Sequence, residues 1–209
     1  MVKRVVTLKD GYDSNAYFCV DDETKHGFLF DFGAEGKRLS DIMDKEGYVI
    51  EKIIITHGHF DHIGGIAQLR ENKKIPVYIH EAGKLFLSDP KYNLSIYTGS
   101  EQISISADGY FKDGDLIETE EKELCFRVIN TPGHTDDSCV FYNEKDGYAI
   151  TGDTIFKGTY GNTRFPTGDY HTLMSSIKEK ILTLPDNTVL YSGHTLASTV
   201  GEERKMYNV

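Results

Sequence analysis

The stretch Ile55–Gly65, "ITHGHFDHIGG", follows an apolar run and places His57, His59, Asp61 and His62 within a few positions of one another. At about 100° per residue of helix, with His57 at zero, His59 falls near 200°, Asp61 near 40° and His62 near 140°. No single helical face gathers all four, which excludes the helical H-E-x-x-H type of zinc site. The spacing instead predicts a loop leaving a strand, with Gly58, Gly64 and Gly65 easing the turn into a helix over His62 to Glu71.

Three later runs stop in the same way. "LCFRVINT" leads through Pro132 and Gly133 to His134, "YAIT" through Gly152 to Asp153, and "VLYS" through Gly193 to His194. Each is an apolar strand, then a glycine, then a potential metal ligand. If the strand tips share one edge, His57, His59, Asp61, His62, His134, Asp153 and His194 converge. A structural zinc takes four ligands, usually including thiolates, so this set suits two metals sharing one carboxylate. Imidazole and carboxylate donors suit zinc first, with iron or manganese as the other choices.

Working outward, the runs "RVVTL", "YFCV", "FLFDFG", "KIIITHG", "VYIH" and "CVFY" also read as short strands, by length and β-branched or aromatic content. Helical spacing marks Lys37 to Glu46, Tyr170 to Leu184 behind an Asp169 N-cap, and Glu202 to Tyr207. Strands with interspersed helices, and no repeating βα unit, predict packed sheets with helices outside, in one domain over residues 1–209. Glu81 to Gly114 is the least regular segment and reads as a flap over a site.

The 209-residue chain carries 23 Lys and Arg against 33 Asp and Glu, a formal charge of -10, without a basic run. Nucleic acid is thereby excluded as a partner, because basic side chains supply most phosphate binding. The start lacks a signal peptide's apolar region, and no later run is long enough to span a bilayer. Cys19, Cys125 and Cys139, odd in number and in strand-like contexts, read as reduced core residues in a cytoplasmic protein. His26, His80 and His171 lack ligand partners in the pattern and read as surface or strand-end residues.

"THGHFDH", "TPGHT", "TGDTIF" and "SGHT", in this order and spacing, resemble the metallo-β-lactamase superfamily. The segment from "GDTIFKGTYGNTRFP" to "SGHT" is most similar to its short bacterial glyoxalase II-like hydrolases, the hydroxyacylglutathione hydrolases. The resemblance implies an α/β fold of the αββα type, two mixed β-sheets with helices on the outer faces and two divalent metals at one edge. It implies His57, His59 and His134 at one metal, Asp61, His62 and His194 at the other, and Asp153 as the bridge. The implied reaction is hydrolysis of a small anionic thioester such as lactoylglutathione, with hydroxide generated by the metals and Asp61 orienting it or taking its proton. Iron-dependent persulfide dioxygenation and lactone hydrolysis are the alternatives on the same fold.

The chain departs from the glyoxalase II-like pattern in four places. Asn162, Thr163 and Arg164 displace the usual basic group, Asp136 and Asp137 stand where a glycine is common, Thr195 rather than a glycine follows His194, and the sequence is expected to lack the glutathione-binding helical domain of full-length glyoxalase II. Arg164, Tyr160 and Lys157, shortly after Asp153, are the candidates to meet a substrate carboxylate. His62, and the lack of a cysteine near Asp153, argue against a true β-lactamase. The protein is expected to be a monomer or homodimer without a membrane partner.

Overall fold

Apolar residues alternate in the early strands, and the alternation builds two different interiors. The computed structural model describes residues 1–207. Its first sheet runs in the order β1 (Val2–Lys9), β2 (Tyr12–Val20), β3 (His26–Phe30), β4 (Val49–Ile54), β5 (Val77–His80) and β6 (Gly109–Phe111). The first three strands are antiparallel and the rest parallel, so the sheet is mixed. Along β2 and β3, Tyr17, Cys19, Phe28 and Phe30 face the second sheet, whereas Ala16, Phe18, Val20 and Leu29 face helices. This is the period of two that a strand imposes on its side chains.

The second half supplies β7 (Leu116–Glu118), β8 (Cys125–Asn130), β9 (Cys139–Asn143), β10 (Tyr148–Gly152), the hairpin β11 (Ile155–Phe156) and β12 (Thr159–Tyr160), β13 (Val189–Ser192) and β14 (Ser198–Thr199). Hydrogen bonds order the second sheet β14-β13-β10-β9-β8-β7. Phe126, Val128, Phe141 and Ile150 meet the first sheet's aromatic residues, with Phe30 5.1 Å from Phe126 and 5.3 Å from Phe141 between ring centroids.

Helices cover both outer faces. Leu39 and Met43 of α1 (Gly36–Glu46) pack on the first sheet with Ile63 of α2 (Phe60–Ile63) and Ile66 and Leu69 of α3 (Ile66–Asn72). Beyond α4 (Lys84–Ser88), α5 (Tyr170–Ser176) and α6 (Val200–Tyr207) cover the second sheet through Leu173 and Val200. The layers are therefore helix, sheet, sheet, helix, as expected. No helix among the described residues is long and apolar enough to cross a membrane.

Three expectations need correction. The helix over His62 to Glu71 is split between α2 and α3, because the Asp31–Gly33 turn crosses it. Phe32 N–H donates to the His62 carbonyl at 2.8 Å and Gly65 N–H to the Phe32 carbonyl at 3.1 Å, while a Cβ on Gly64 would meet the Gly33 carbonyl at 2.3 Å. The helix after Asp169, whose side chain does cap it by accepting from Thr172 N–H, is α-helical only to Ser176 and continues as a π turn over Ile177–Ile181. Cys19 and Cys139 are buried, but Cys125, at the start of β8, is only half-buried.

The irregular segment after β5 is held by Asn93. Its buried side chain donates to the Phe86 and Ile103 carbonyls and accepts from Ser95 N–H, and its own carbonyl accepts from Phe60 N–H at 2.8 Å. That tether fixes Leu94 and Tyr97 beside the residues of the opening motif.

Candidate metal centre

The tips of β4, β8, β10 and β13 do converge. His57 and His59 lie on the loop after β4, as the spacing predicts, whereas Asp61 and His62 sit on the turn of α2 rather than on that loop. The His194 turn is clamped from β2, where Tyr17 Oη donates to the Ser192 carbonyl at 2.7 Å and the Asn15 amide donates to the Ser192 and Thr195 carbonyls.

Three nitrogens form a compact triangle. His57 Nε2 lies 3.2 Å from His59 Nδ1 and 3.2 Å from His134 Nε2, and the third side is 3.0 Å. A tetrahedral ion with bonds of about 2.0–2.1 Å to nitrogen has an edge of about 3.3 Å, so the triangle matches a metal cradle. Beside it, His62 Nε2 and His194 Nε2 are 3.3 Å apart, and Asp61 Oδ2 is 3.3 Å from the latter. Asp153 lies between the groups, its Oδ2 3.2 Å from His194 and 3.7 Å from His134, its Oδ1 3.4 Å from His62. Asp153 Oδ1 and His59 Nε2 are buried without a hydrogen-bond partner, a costly state for polar atoms. An ion would relieve the first of these directly. The clusters thus fit a dinuclear divalent metal site.

The outward nitrogens fix which face each ring presents. His134 Nδ1 donates to the Asn162 carbonyl at 2.7 Å, His194 Nδ1 to the Asp13 carbonyl, and His62 Nδ1 to Asp31 Oδ2 at 2.9 Å. Thr56 Oγ1 donates to the same Asp31 oxygen at 2.7 Å and accepts from His57 Nδ1 at 3.1 Å. Each of these four rings therefore turns an unprotonated Nε2 inward when neutral, as metal ligation requires. Asp31, buried at the end of β3 with a left-handed φ of 45°, is the anchor for two of them. The sequence signal for it was slight, an acid after the strand "FLF" in an Asp-x-Gly turn.

Electrostatics divides the two clusters. Burial, reinforced by neighbouring imidazoles, pushes His59 down to about 3 and also lowers His57 and His134, so these three are neutral. Burial works the same way on His194 and His62, but Asp153 and Asp61 outweigh it, raising His194 to about 10 and His62 well above its ordinary value. Both carboxyls stay ionised, because the two cations beside them outweigh burial. In the metal-free protein this position thus favours protonated imidazoles where the second ion would bind. Loading it near neutral pH should release protons, measurable by calorimetry in buffers of different ionisation enthalpy. The affinity should weaken as the pH falls. A pH-independent affinity for the second ion would overturn this assignment.

Asp137, a departure from the family pattern, is also buried, and its Oδ2 accepts from Gly58 N–H at 2.9 Å in the middle of the His57–His59 loop. Burial raises its carboxyl to about 7.

Two cavities flank the cluster. One, of about 750 Å³, is lined by Phe156, Tyr160, Asn162, Thr163, Arg164 and Tyr170. The other, of about 360 Å³, is mainly aromatic and aliphatic. Arg164 lines both, and its guanidinium makes no ion pair among the described residues. Tyr160 reaches the larger cavity, whereas the exposed Lys157 lines neither.

Comparison with known proteins agrees with this geometry. The chain is 38% identical over 184 residues to a probable metallo-hydrolase, YqgX, of Bacillus subtilis, covering 87% of this chain and 84% of that one. It is 30% identical to the hydroxyacylglutathione hydrolase GloC of Haemophilus influenzae, over 93% of this chain and 91% of the relative. Among solved structures, the BLEG-1 B3 metallo-β-lactamase superposes with a TM-score of 0.90 at 32% identity, covering 98% of this chain and 97% of that one. TTHA1623 in a di-iron-bound form superposes with a TM-score of 0.83 at 27% identity, over 96% of each chain. A family model described as the metallo-β-lactamase superfamily matches residues 10–194. With both the fold and the His/Asp clusters in agreement, the chain belongs to the metallo-β-lactamase superfamily of metallo-hydrolases.

Proposed function

We propose that the protein hydrolyses small anionic thioesters at a dinuclear metal centre. The observation that carries this reading is the pair of donor clusters joined through Asp153 and flanked by cavities that meet at Arg164, which makes no ion pair among the described residues. His57, His59 and His134 would hold one ion, Asp61, His62 and His194 the other, and Asp153 both. Likeness to GloC supports the thioester. The di-iron form of TTHA1623 makes iron a candidate beside zinc.

Bound divalent ions would supply Lewis acidity and hydroxide at neutral pH. The protein's own part is positional. Asp61, whose Oδ2 lies 3.3 Å from His194 Nε2, would orient the attacking water or take its proton in addition to binding metal. A C–O bond forms at the acyl carbon, the C–S bond breaks, and the carrier leaves as a thiolate. Thiol pKa values near 8.5 make a strong general acid unnecessary. Arg164 would pair with an anionic group on the carrier.

The test is metal content of the purified protein together with a panel of lactoylglutathione, other thioesters, lactones, glutathione persulfide and a penicillin. Two ions per chain with thioester turnover is the expected result. A fully loaded protein inert on every thioester would sink the proposal, and one iron with oxygen uptake on the persulfide would replace it. Arg164→Ala should raise KM for an anionic thioester about tenfold, and an unchanged KM would remove Arg164 from the site. A second reading, β-lactam hydrolysis, is favoured by the likeness to BLEG-1, which weighs against the exclusion drawn from His62 and the missing cysteine.

A further inference from the structure

The smaller cavity opens directly beside the metal cluster. Phe60, on its wall, sits between His59 and Asp61 in the chain, and Phe165 packs edge-on against His59 at 5.5 Å and His134 at 6.4 Å. Tyr12, on another wall, precedes Asp13, whose carbonyl holds His194, and meets Phe60 edge-on at 5.4 Å. Leu94, Tyr97 and Pro166 complete the slot, and Arg164 at its boundary is its one charged lining residue. The far wall is built in place. Leu94 has a left-handed φ of 67°, held by the Asn93 side chain and by the Asn93 carbonyl's bond from Phe60 N–H.

The 2-hydroxyacyl group suggested by family likeness does not need such a lining. A 2-hydroxyacyl group is small and polar, whereas most of the slot's lining is apolar, its polar atoms being confined to the Tyr12, Tyr97 and Thr98 hydroxyls and the Arg164 guanidinium. The neighbouring cavity across Arg164 is more polar than the slot, with Thr159, Asn162 and Thr163 beside Phe156, Tyr160 and Tyr170 on its surface. The two cavities therefore sort a bipartite substrate by polarity, with the cation at the border.

Resting on the thioesterase reading above, we propose that the slot is an acyl subsite for an unbranched aliphatic chain of medium length, with the polar thiol carrier in the larger cavity. A volume of about 360 Å³ accommodates about a dozen water-sized groups. That suits a hexanoyl to decanoyl chain whose carbonyl stays at the cluster. Each methylene transferred from water into the slot should tighten binding about fourfold until the slot is full.

The experiment uses the metal-loaded protein and one small carrier, N-acetylcysteamine, acylated with even-numbered chains from acetyl to dodecanoyl. KM should fall about fourfold per methylene and level off near decanoyl. Tyr97→Ala should flatten that slope, and Leu94→Asp should abolish it. In parallel, calorimetry measures butyrate, hexanoate and octanoate, whose identical head groups cancel any contribution from the metals. Octanoate should bind at least about 100-fold more tightly than butyrate. If thioesters are turned over with no dependence on chain length and the carboxylates bind alike, the acyl subsite is wrong and the thioesterase reading survives. If no thioester is turned over yet octanoate binds far more tightly than butyrate, the slot stands and the reaction assigned to it falls.

Discussion

Asp153→Ala should lower hydrolysis by about 10³-fold or more and cut metal content from two ions per chain to one at most. Removing groups that merely orient metal ligands typically costs 10–100-fold, and Asp153 touches donors of both clusters. The metal-free protein should suffer as well. His62 and His194 owe their protonated state first to Asp153 among the charges that counter burial. Without it they must lose their protons or remain as poorly compensated buried cations, a situation that costs about 3–5 kcal/mol when one partner of a buried pair is removed. Elemental analysis, turnover and thermal unfolding of Asp153→Ala and Asp153→Asn check this. Two tightly held ions with near-normal turnover in either variant would remove Asp153 from the bridge.

Gly193→Ala should be almost as damaging, though the glycine bears no ligand. A Cβ there would lie 2.1 Å from Asp153 Oδ1 and 2.8 Å from His62 Cε1. The backbone cannot retreat, because Gly193 N–H donates to the Gly152 carbonyl at 2.8 Å while the Gly193 carbonyl accepts from Asn15 N–H at 2.7 Å. The methyl must therefore displace the carboxylate or pull β13 away from β10 and β2. The expected outcome is a drop in turnover of about 10²-fold or more, with weakened binding of the second ion, and about 1–3 kcal/mol of lost stability, typical of overpacking. Gly99→Ala is the control, since a Cβ there meets nothing within 4 Å. Equal behaviour of the two variants in metal content and thermal unfolding would contradict this account.

The donor set was legible in the sequence because each member follows a strand, and strands announce themselves by short β-branched and aromatic runs. Once four such runs end in a glycine and a ligand, a shared edge brings the ligands together. What escaped depends on contacts between distant segments. Asp31 acts on His62 and, through Thr56, on His57, and no local pattern reveals an acid 31 or 26 residues away as their anchor. The break between α2 and α3 is likewise imposed by the Phe32 backbone, not by the helix's own residues. The smaller cavity could not be foreseen at all, since its walls come from Tyr12, Phe60, Leu94 and Phe165, four separate parts of the chain.

The segment carrying Leu94 and Tyr97 belongs to neither sheet and is moored chiefly through one asparagine. The metal donors, by contrast, are bound into strand ends and the turns that join them. Side chains at 94–98 can therefore change without removing a donor, provided the Asn93 carbonyl keeps its bond from Phe60 N–H. Such a division leaves the shape of the smaller cavity adjustable while the geometry of the donor clusters stays fixed.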